Sequence, residues 1–495
     1  MNMDSQWPAL KSKEMIAFIA VIAIAIIVRF IGIGSSLWAD EITTLLEFVR
    51  PPVSDLISNF SSLNNHPFYS LAAKASITLF GESATSLRLP AVLFGVGSII
   101  AFLPVARRIL SMPLALLTIL LLAISYHHVW FSQNARGYTM LLFFTTISTI
   151  LFLQGAQRNS VKIWAAYGVV FAAAMYAHLS AAFYFVAHGI IYATYLLSRF
   201  AFRRNSKTPL TGPYPFFGMA FGVVLTALVY APMMAEMPST FGGVRSTAAS
   251  SPLAQWTDPF FVLKNLVDQF LVLGPFMVVV LPPAIGVALF GAYRIWRKDP
   301  LLAAIYLLQF PVTLVALKIA GMRIWPRFFF VEISFLYLAL VVGVAAITYI
   351  LGVEIERRWR KRGVSNWLLA AAAITMVGGS SVLLTRNYKA PKQDFADAVA
   401  FINREAGSGD MRTVYGVTAE PVIGYYAPEW SELTPAMIRA YNGRRKIWVL
   451  VAFRFQVAGK DPELWREFEK KFVLRERLPG TLGGGEVLVY ESKDQ

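Results

Sequence analysis

The sequence predicts an α-helical polytopic membrane protein carrying a small α/β domain at its C-terminal end. Three observations carry that prediction. Of 495 residues, 56% are hydrophobic and only 15% are charged, against about a quarter charged in a soluble globular chain. Apolar runs near the ~20 residues that a bilayer requires recur from residue 15 to residue 384. After residue 385 the apolar runs shorten and the density of charge rises.

Eleven candidate spans can be placed, at 15–34, 89–106, 112–128, 138–154, 162–178, 181–198, 215–234, 272–292, 301–319, 328–350 and 366–384. The net charge of +16 does not point to nucleic acid. The basic residues gather in short connections, at Lys11/Lys13, Arg107/Arg108, Arg158/Lys162, Arg199/Arg203/Arg204/Lys207, Arg294/Arg297/Lys298 and Arg357/Arg358/Arg360/Lys361/Arg362. With eleven spans all of these fall on one side, which the positive-inside rule makes the cytoplasm. The first run follows Lys11 and Lys13 as a signal sequence would. It is long and has no small-x-small cleavage site, so it reads as a retained anchor. Without cysteine, disulfide and thiolate chemistry are excluded.

The opposite side then carries a first loop, 35–88, the connection 126–138, the loop 235–271, the segment 318–327 and everything after residue 385. Within the first loop, 53–63 and 67–80 read as short helices. Pro67 occupies a first helical position, where a missing N–H is harmless. Phe68, Leu71, Ala75 and Leu79 form an apolar stripe suited to a helix lying in the membrane interface. The loop 235–271 is rich in Gly, Ser and Pro and is expected to be a mobile lid. The chain divides into a membrane domain, 1–385, and a soluble extracytoplasmic α/β domain, 386–495. The latter has helices expected at 394–406 and 462–472 and strands at 413–417, 446–453 and 486–490. The glycines at 480 and 483–485 lack the Lys-Ser/Thr and helix of a phosphate loop, and read as a hairpin turn.

Ionisable side chains concentrate on the outer side. Asp40 and Glu41 follow the first span directly, where two carboxylates could simply complement a helix dipole. His66 lies in the same loop. His127, His128, Arg136 and Tyr138 lie in the third-to-fourth connection, His178 ends the fifth span, and Lys318, Arg323 and Arg327 precede the tenth. Singly, each is an interfacial residue that snorkels or pairs. His127-His128 lacks a third ligand at metal spacing. Arginines at the Trp325-Pro326-Arg327-Phe328 edge are costly unless they meet an anion, and the guanidinium fork suits phosphate. A carboxylate with convergent cations at a membrane surface suggests chemistry on a phosphorylated lipid. The carboxylate takes a proton from an acceptor hydroxyl and the cations stabilise a departing phosphate.

Four motifs occur in order: Trp38-Ala39-Asp40-Glu41; Asn65-His66-Pro67-Phe68-Tyr69; Leu79-Phe80-Gly81-Glu82-Ser83 with Ser86-Leu87-Arg88-Leu89-Pro90-Ala91; and Ser132-Gln133-Asn134-Ala135-Arg136-Gly137-Tyr138. In these the chain resembles the bacterial GT-C glycosyltransferases related to protein O-mannosyltransferases and to the aminoarabinose transferase of lipid A. Pro326-Arg327-Phe328 is similar to the family's Pro-Arg-Tyr element. The resemblance implies a polyprenyl-phosphate-linked sugar as donor and transfer on the extracytoplasmic face of the bacterial inner membrane. The acceptor would be a lipid such as lipid A, a glycan or a protein. It implies Asp40 as the catalytic or metal-linked acid with Glu41 beside it, and His66, Arg136 and Arg327 around the lipid phosphate and sugar. Lys74, Arg88, Tyr138, Lys318 and Arg323 complete the candidates for donor binding. No cofactor is required by this reading, and a divalent metal at Asp40 and Glu41 is left open. The chain departs from its relatives at Asn134, where they commonly read Glu, and so lacks a carboxylate that would help hold a metal. Two other function classes are weighed: a lipid or solute transporter, disfavoured by the absence of an internal repeat, and a non-catalytic envelope assembly factor of the same fold.

Overall fold

The computed structural model describes residues 11–202, 210, 212–250, 252–271, 277–360 and 362–493. Helix α1 (Ser12–Phe30) is followed by the first loop. There α2 (Ala39–Thr43) runs into a π-helical turn (Thr44–Val49), then α3 (Val53–Ser58) and α4 (Pro67–Phe80). The membrane bundle continues with α5 (Ala84–Ile109), α6 (Met112–Ala123), α7 (Tyr126–Ser132), α8 (Tyr138–Gly155), α9 (Val161–Ala177), α10 (Ala181–Phe202) and α11 (Tyr214–Tyr230). Then come α12 (Met237–Ser250), α13 (Pro259–Leu271), α14 (Met277–Lys298), α15 (Pro300–Ala320), a 3₁₀ turn (Pro326–Glu332), α16 (Ile333–Trp359) and α17 (Val364–Thr385).

Each of the eleven expected spans coincides with a helix. Among the described residues eight helices are long and apolar enough to cross a membrane, and the pair α6–α7 makes a ninth. At 17 residues α9 is shorter than a full span. Helix α1 carries Lys13, Glu14 and Arg29. The stretches around Arg203, Arg204, Lys207 and Lys361, and the start of the span expected at 272, lie outside the described residues.

Three expectations are corrected. The third span is not continuous. It breaks after Ala123 and α7 leaves at 58°. Ser125 adopts extended backbone and its hydroxyl accepts the His128 N–H, a helix N-cap that starts α7 afresh. The carbonyl freed at Ala123 accepts from Arg29 Nη1 at 3.0 Å, so the break leaves no orphan there. The segment expected as a lid, 235–271, holds α12 and α13. Pro238 and Pro259 sit in the first turns of those helices, where proline is tolerated. Thr240 Oγ1 donates to the Phe60 carbonyl, which ties α12 to the first loop; the Ile324 N–H donates to the Trp256 carbonyl in the turn before α13, and Val262 of α13 packs with Leu317 and Ile324. The helix expected at 53–63 stops at Ser58, because Asn59 turns the chain by accepting the Ser61 N–H. Helix α4 spans the expected residues. It packs through Tyr69, Ala73 and Ser76, while Ala75 and Leu79 of its apolar stripe stay exposed.

Beyond α17 come α18 (Phe395–Glu405), β1 (Met411–Tyr415), α19 (Ala419–Tyr425), β2 (Ser431–Glu432), α20 (Pro435–Ala440), β3 (Ile447–Ala452), α21 (Arg454–Lys460), α22 (Pro462–Lys471), β4 (Phe472–Leu478) and β5 (Val487–Ser492). The five strands form one sheet in the order β2-β1-β3-β5-β4, with β1 parallel to β2 and β3, and β5 antiparallel to β3 and β4. The turn expected at the glycines joins the β4–β5 hairpin. Strands β3 and β5 are buried along their whole length, which is why β3 and the first four residues of β5 read as unbroken apolar runs. One face of the sheet covers Leu433, Val449, Leu464 and Phe468. The other shares a core with the first loop: Leu37, Ile42 and Leu45 pack in one cluster with Phe395, Ala398, Trp448 and Val487. The C-terminal domain is thereby seated on the segment that carries Asp40.

Candidate active site

Asp40 and Glu41 open the first turn of α2. Consecutive helical side chains diverge by about 100°, and the two carboxylates go to different places. Glu41 turns inward and is fully buried. It accepts Arg88 Nε at 2.8 Å and Nη2 at 2.5 Å, and the Ala135 N–H at 2.7 Å. Arg88 gives its remaining donors to the carbonyls of Ile33, Ser35 and Ser36 at 2.7, 2.9 and 3.1 Å. The pair therefore ties the segment after α1, α2, α5 and the loop before α8 into one block. Burial alone would raise the Glu41 carboxyl; Arg88 and Lys392 outweigh it and hold it below its ordinary range. This corrects the expectation that Glu41 joins the reaction and that Arg88 binds donor, because every polar atom of both is already engaged.

Asp40 faces outward, with a side chain 32% exposed. Two guanidiniums converge on it from different elements. Arg136 Nη1 donates to Asp40 Oδ2 and to Asn64 Oδ1. Arg327 Nη1, from the 3₁₀ turn before α16, lies 3.8 Å from the same Asp40 oxygen and rests over the Trp325 ring at 5.2 Å. Arg136 is nearly enclosed, whereas Arg327 is 34% exposed. Asp40 and Arg327 are thus the charged groups that an incoming molecule meets first.

Behind Arg136 stands a stack of rings. Arg136 Nε donates to His66 Nε2 at 3.1 Å, and His66 stacks on His178 with centroids 4.5 Å apart. Tyr138 packs on His178 at 4.9 Å, and the Arg136 guanidinium lies 5.6 Å from the Tyr138 ring. The Ser180 N–H bonds His178 Nδ1 at 3.2 Å, and the Ser180 hydroxyl sits 2.8 Å from the same nitrogen. Gly137 makes the approach feasible, since a Cβ there would overlap the Ala177 carbonyl just before His178. Burial, then His178, Arg136 and Arg327, press the His66 imidazole well below its ordinary range. Burial, then the two arginines, press His178 to about 3. Both rings are neutral acceptors or packing faces here, and add no charge to the cluster.

A further set of contacts comes from the chain after α17. Lys392 is buried, donates to the Gln133 carbonyl at 2.5 Å and lies 5.1 Å from the Trp130 ring. Burial pulls its ammonium down to about 7, against the attraction of Glu41. Gln393 Oε1 accepts the Ala39 N–H at 3.1 Å, and Asn387 Nδ2 donates to Gln133 Oε1 at 2.8 Å.

Of the residues expected at the site, Asp40, His66, Arg136, Tyr138 and Arg327 come together. Lys74 does not join them: its ammonium caps the end of the π-helical turn through the Val49 and Pro51 carbonyls at 2.9 and 2.6 Å. Lys318 lies 3.5 Å from the Thr257 carbonyl and Arg323 donates to the Thr247 carbonyl at 2.7 Å, contacts on the α12–α13 side. His128 is enclosed beside Arg29 Nη2 at 2.7 Å. Asn64, Lys392 and Gln393 were not expected. Asn64 adjoins the Asn65-His66 motif, so proximity in sequence could have flagged it. Nothing local marks Lys392 and Gln393.

A family model described as dolichyl-phosphate-mannose-protein mannosyltransferase matches residues 64–231, about a third of the chain. No curated protein sequence matches. Among solved structures, ArnT from Cupriavidus metallidurans bound to undecaprenyl phosphate superposes with a TM-score of 0.54, covering 96% of this chain and 97% of its own at 14% identity. The chain has the GT-C fold. The Archaeoglobus fulgidus oligosaccharyltransferase in its apo form aligns with a TM-score of 0.55 over 95% of this chain and 74% of its own at 12% identity. AglB from the same organism, in complex with an inhibitory peptide and a dolichol-phosphate, gives 0.55 over 94% and 72% at 13%.

Within this GT-C fold the pair Asp40–Glu41 does not fit a divalent cation. Glu41 is spent on Arg88, and two guanidiniums occupy the approaches to Asp40. Asn134 uses its carbonyl oxygen on Trp38 Nε1 at 3.1 Å. Among the described residues no three His, Asp or Glu side chains are gathered at ligand distance. No step is assigned to a metal.

Proposed function

We propose that this protein is a membrane glycosyltransferase that moves a sugar from a polyprenyl-phosphate-linked donor to an extracytoplasmic acceptor at the bacterial inner membrane. The observation that carries the reading is the outward carboxylate of Asp40 flanked by Arg136 and Arg327. The acceptor is a glycan, a lipid such as lipid A, or a protein. The GT-C fold supports this reading, as do the solved structures it is similar to, two of which hold undecaprenyl phosphate or a dolichol-phosphate.

The acceptor oxygen attacks the anomeric carbon as the bond from that carbon to the phosphate oxygen breaks. The hydroxyl proton passes to Asp40, and the polyprenyl phosphate leaves with the bonding electrons. Arg327 receives the phosphate charge through its planar fork. A phosphate monoester has a second pKa of about 6, so it departs without a general acid. Arg136 is held in place by Asn64 and the neutral His66, and adds a second fixed positive charge where negative charge develops.

Purified protein in detergent, given a polyprenyl-phosphate sugar and a mixed acceptor extract, should release free polyprenyl phosphate in step with sugar transfer. Movement of intact donor across a vesicle membrane without its cleavage would establish transport instead.

A further inference from the structure

We propose that the end of the bundle far from Asp40 holds a binding site for an anionic glycerophospholipid, in the cavity between the α5–α6 corner, α14, α16 and α17. The cavity encloses about 810 Å³. Binding pockets for compact ligands span roughly 300–1,000 Å³, so a phosphate headgroup with the upper part of its acyl chains fits. Ile109, at the cavity, lies about 30 Å along α5 from Arg88 at 1.5 Å per residue. Arg88 binds Glu41 beside the Asp40 cluster. That separation matches a hydrocarbon core of about 30 Å, which places the cavity at the opposite membrane surface.

The lining is of two kinds. Arg294, Arg297 and Lys298, from the last turns of α14, stand near Ser365 and Asn366 at the start of α17. Leu110, Leu114, Val342, Ala346 and Leu369 form the apolar wall. No carboxylate lines the cavity among the described residues. The three nearest in sequence are engaged: Asp299 pairs with Arg108 at 2.6 Å, Glu354 with Arg357 at 2.9 Å, and Glu356 accepts the Ser365 N–H and hydroxyl at 3.0 and 3.1 Å. Two of the cations are held in position, Lys298 by the Ile109 carbonyl at 2.8 Å and Arg297 by the Tyr293 hydroxyl at 3.0 Å. Basic connections on one membrane side are general in such proteins. What distinguishes this one is a preformed space lined by both cations and hydrocarbon, the combination that a headgroup pocket between spans offers.

The space has a structural cause. Helices α14 and α16 meet backbone to backbone at Gly291 and Gly343, where a Cβ on either would overlap a carbonyl of the other helix. Helices α16 and α17 meet as closely at Gly352 and Ser365. These two contacts lock the three helices on either side of the gap and leave the gap itself unfilled.

The test uses the full chain, delipidated in a neutral detergent and titrated with phosphatidylglycerol, phosphatidylcholine or inorganic phosphate. Retained lipid is read by native mass spectrometry and the shift in Tm by thermal unfolding. Phosphatidylglycerol should be retained and should raise Tm, while the other two should not. Arg294→Ala with Arg297→Ala should weaken phosphatidylglycerol binding by roughly tenfold to thirtyfold, from about 1 kcal/mol per basic residue. Arg357→Ala with Arg358→Ala, on the same side but outside the cavity, should leave binding unchanged. Ala346→Phe fills the cavity without touching charge and should also abolish retention, and it carries the test alone if the double Arg variant does not purify. Equal retention of phosphatidylcholine, an equal shift with inorganic phosphate, or wild-type binding by the cavity variants overturns the proposal.

Discussion

At the residue scale, neighbouring carboxylates predict opposite phenotypes. Asp40→Asn keeps shape and removes the base. Turnover should fall by ~10²–10⁴-fold, with insertion, Tm and donor binding close to wild type. Sugar transfer near the wild-type rate would remove Asp40 from the mechanism. Glu41→Gln breaks a fully buried ion pair with Arg88, a change that typically destabilises by about 3–5 kcal/mol. Its signature is a lowered Tm and poor yield, not a clean loss of turnover. Arg327 is bound to little besides Asp40 and the Trp325 ring, so Arg327→Ala should fold normally. Loss of a charged hydrogen bond worth about 1.5–3 kcal/mol should weaken donor binding by roughly 10- to 100-fold. Unchanged donor affinity in a titration would return Arg327 to a structural role. The stacked histidines add a pH dependence. The folded His178 sits near 3, and His66 is also well below its ordinary value. A group lowered on folding favours the native state while neutral, and that advantage is lost as pH falls from about 6.5 toward 3. Stability should therefore drop on acidification by up to ~1.4 kcal/mol per pH unit per histidine, read as a falling Tm. His178→Gln should flatten the profile below pH 6, and an unaltered slope would show that the acid sensitivity arises elsewhere.

At the element scale, the broken third span positions the site. Helix α7 leads directly into Gln133, Asn134 and Arg136, so the bend after Ala123 aims the arginine at Asp40. The bend is held by a buried cation. Arg29 spans from the Ala123 carbonyl to Ser132 Oγ at 3.0 Å and His128 Nδ1 at 2.7 Å, and His128 Nε2 reaches Ser98 Oγ at 3.0 Å. Gly95 admits Ser132 at this crossing, where any Cβ would collide with it. Arg29→Met leaves the carbonyl, the hydroxyl and the imidazole short of a partner in a dry interior. At about 1–3 kcal/mol per unsatisfied group, Tm should fall sharply, and Arg29→Lys should recover part of it. A Met variant as stable as wild type would show that α7 is held by packing alone.

At the scale of the whole molecule, the fold joins two opposite faces through the same helices. Helix α5 carries Arg88 toward the Asp40 cluster and Ile109 toward the basic cavity, and α16 runs from the turn of Arg327 down to Tyr349. The alternation of basic connections predicts that the Asp40 face and the C-terminal domain are both extracytoplasmic. Reporters active on one side only, fused after Arg204, Arg362 and Gln495, should report cytoplasm, cytoplasm and exterior. A cytoplasmic signal at Gln495 would separate the sheet domain from the site in the cell and contradict its packing on α2.

The apolar runs by themselves located a helix at each of eleven places, because a bilayer demands ~20 apolar residues wherever a chain crosses it; among the described residues eight of those helices, or nine with the bent pair, are long and apolar enough to cross. The unbroken run at 447–452 announced a buried strand for the same kind of reason: burial on both faces leaves no polar position. Asp40, Arg136 and Arg327 stood out as charged groups at a membrane edge, each of which must have a partner or a purpose, and the ordered motifs, through the family resemblance, singled them out together with His66. The division of labour between Asp40 and Glu41 was not legible. It depends on Arg88, 47 residues away in sequence, whose guanidinium reaches one carboxylate and not the other. The kink after Ala123 depends on Arg29, the helix at 237–250 on Phe60, the turn at 254–257 on Ile324, and the setting of the fourth motif on Lys392. Each of these is a hydrogen bond between segments far apart in sequence. Local pattern specifies which residues can be buried or capped; only the packed chain decides which partner reaches them.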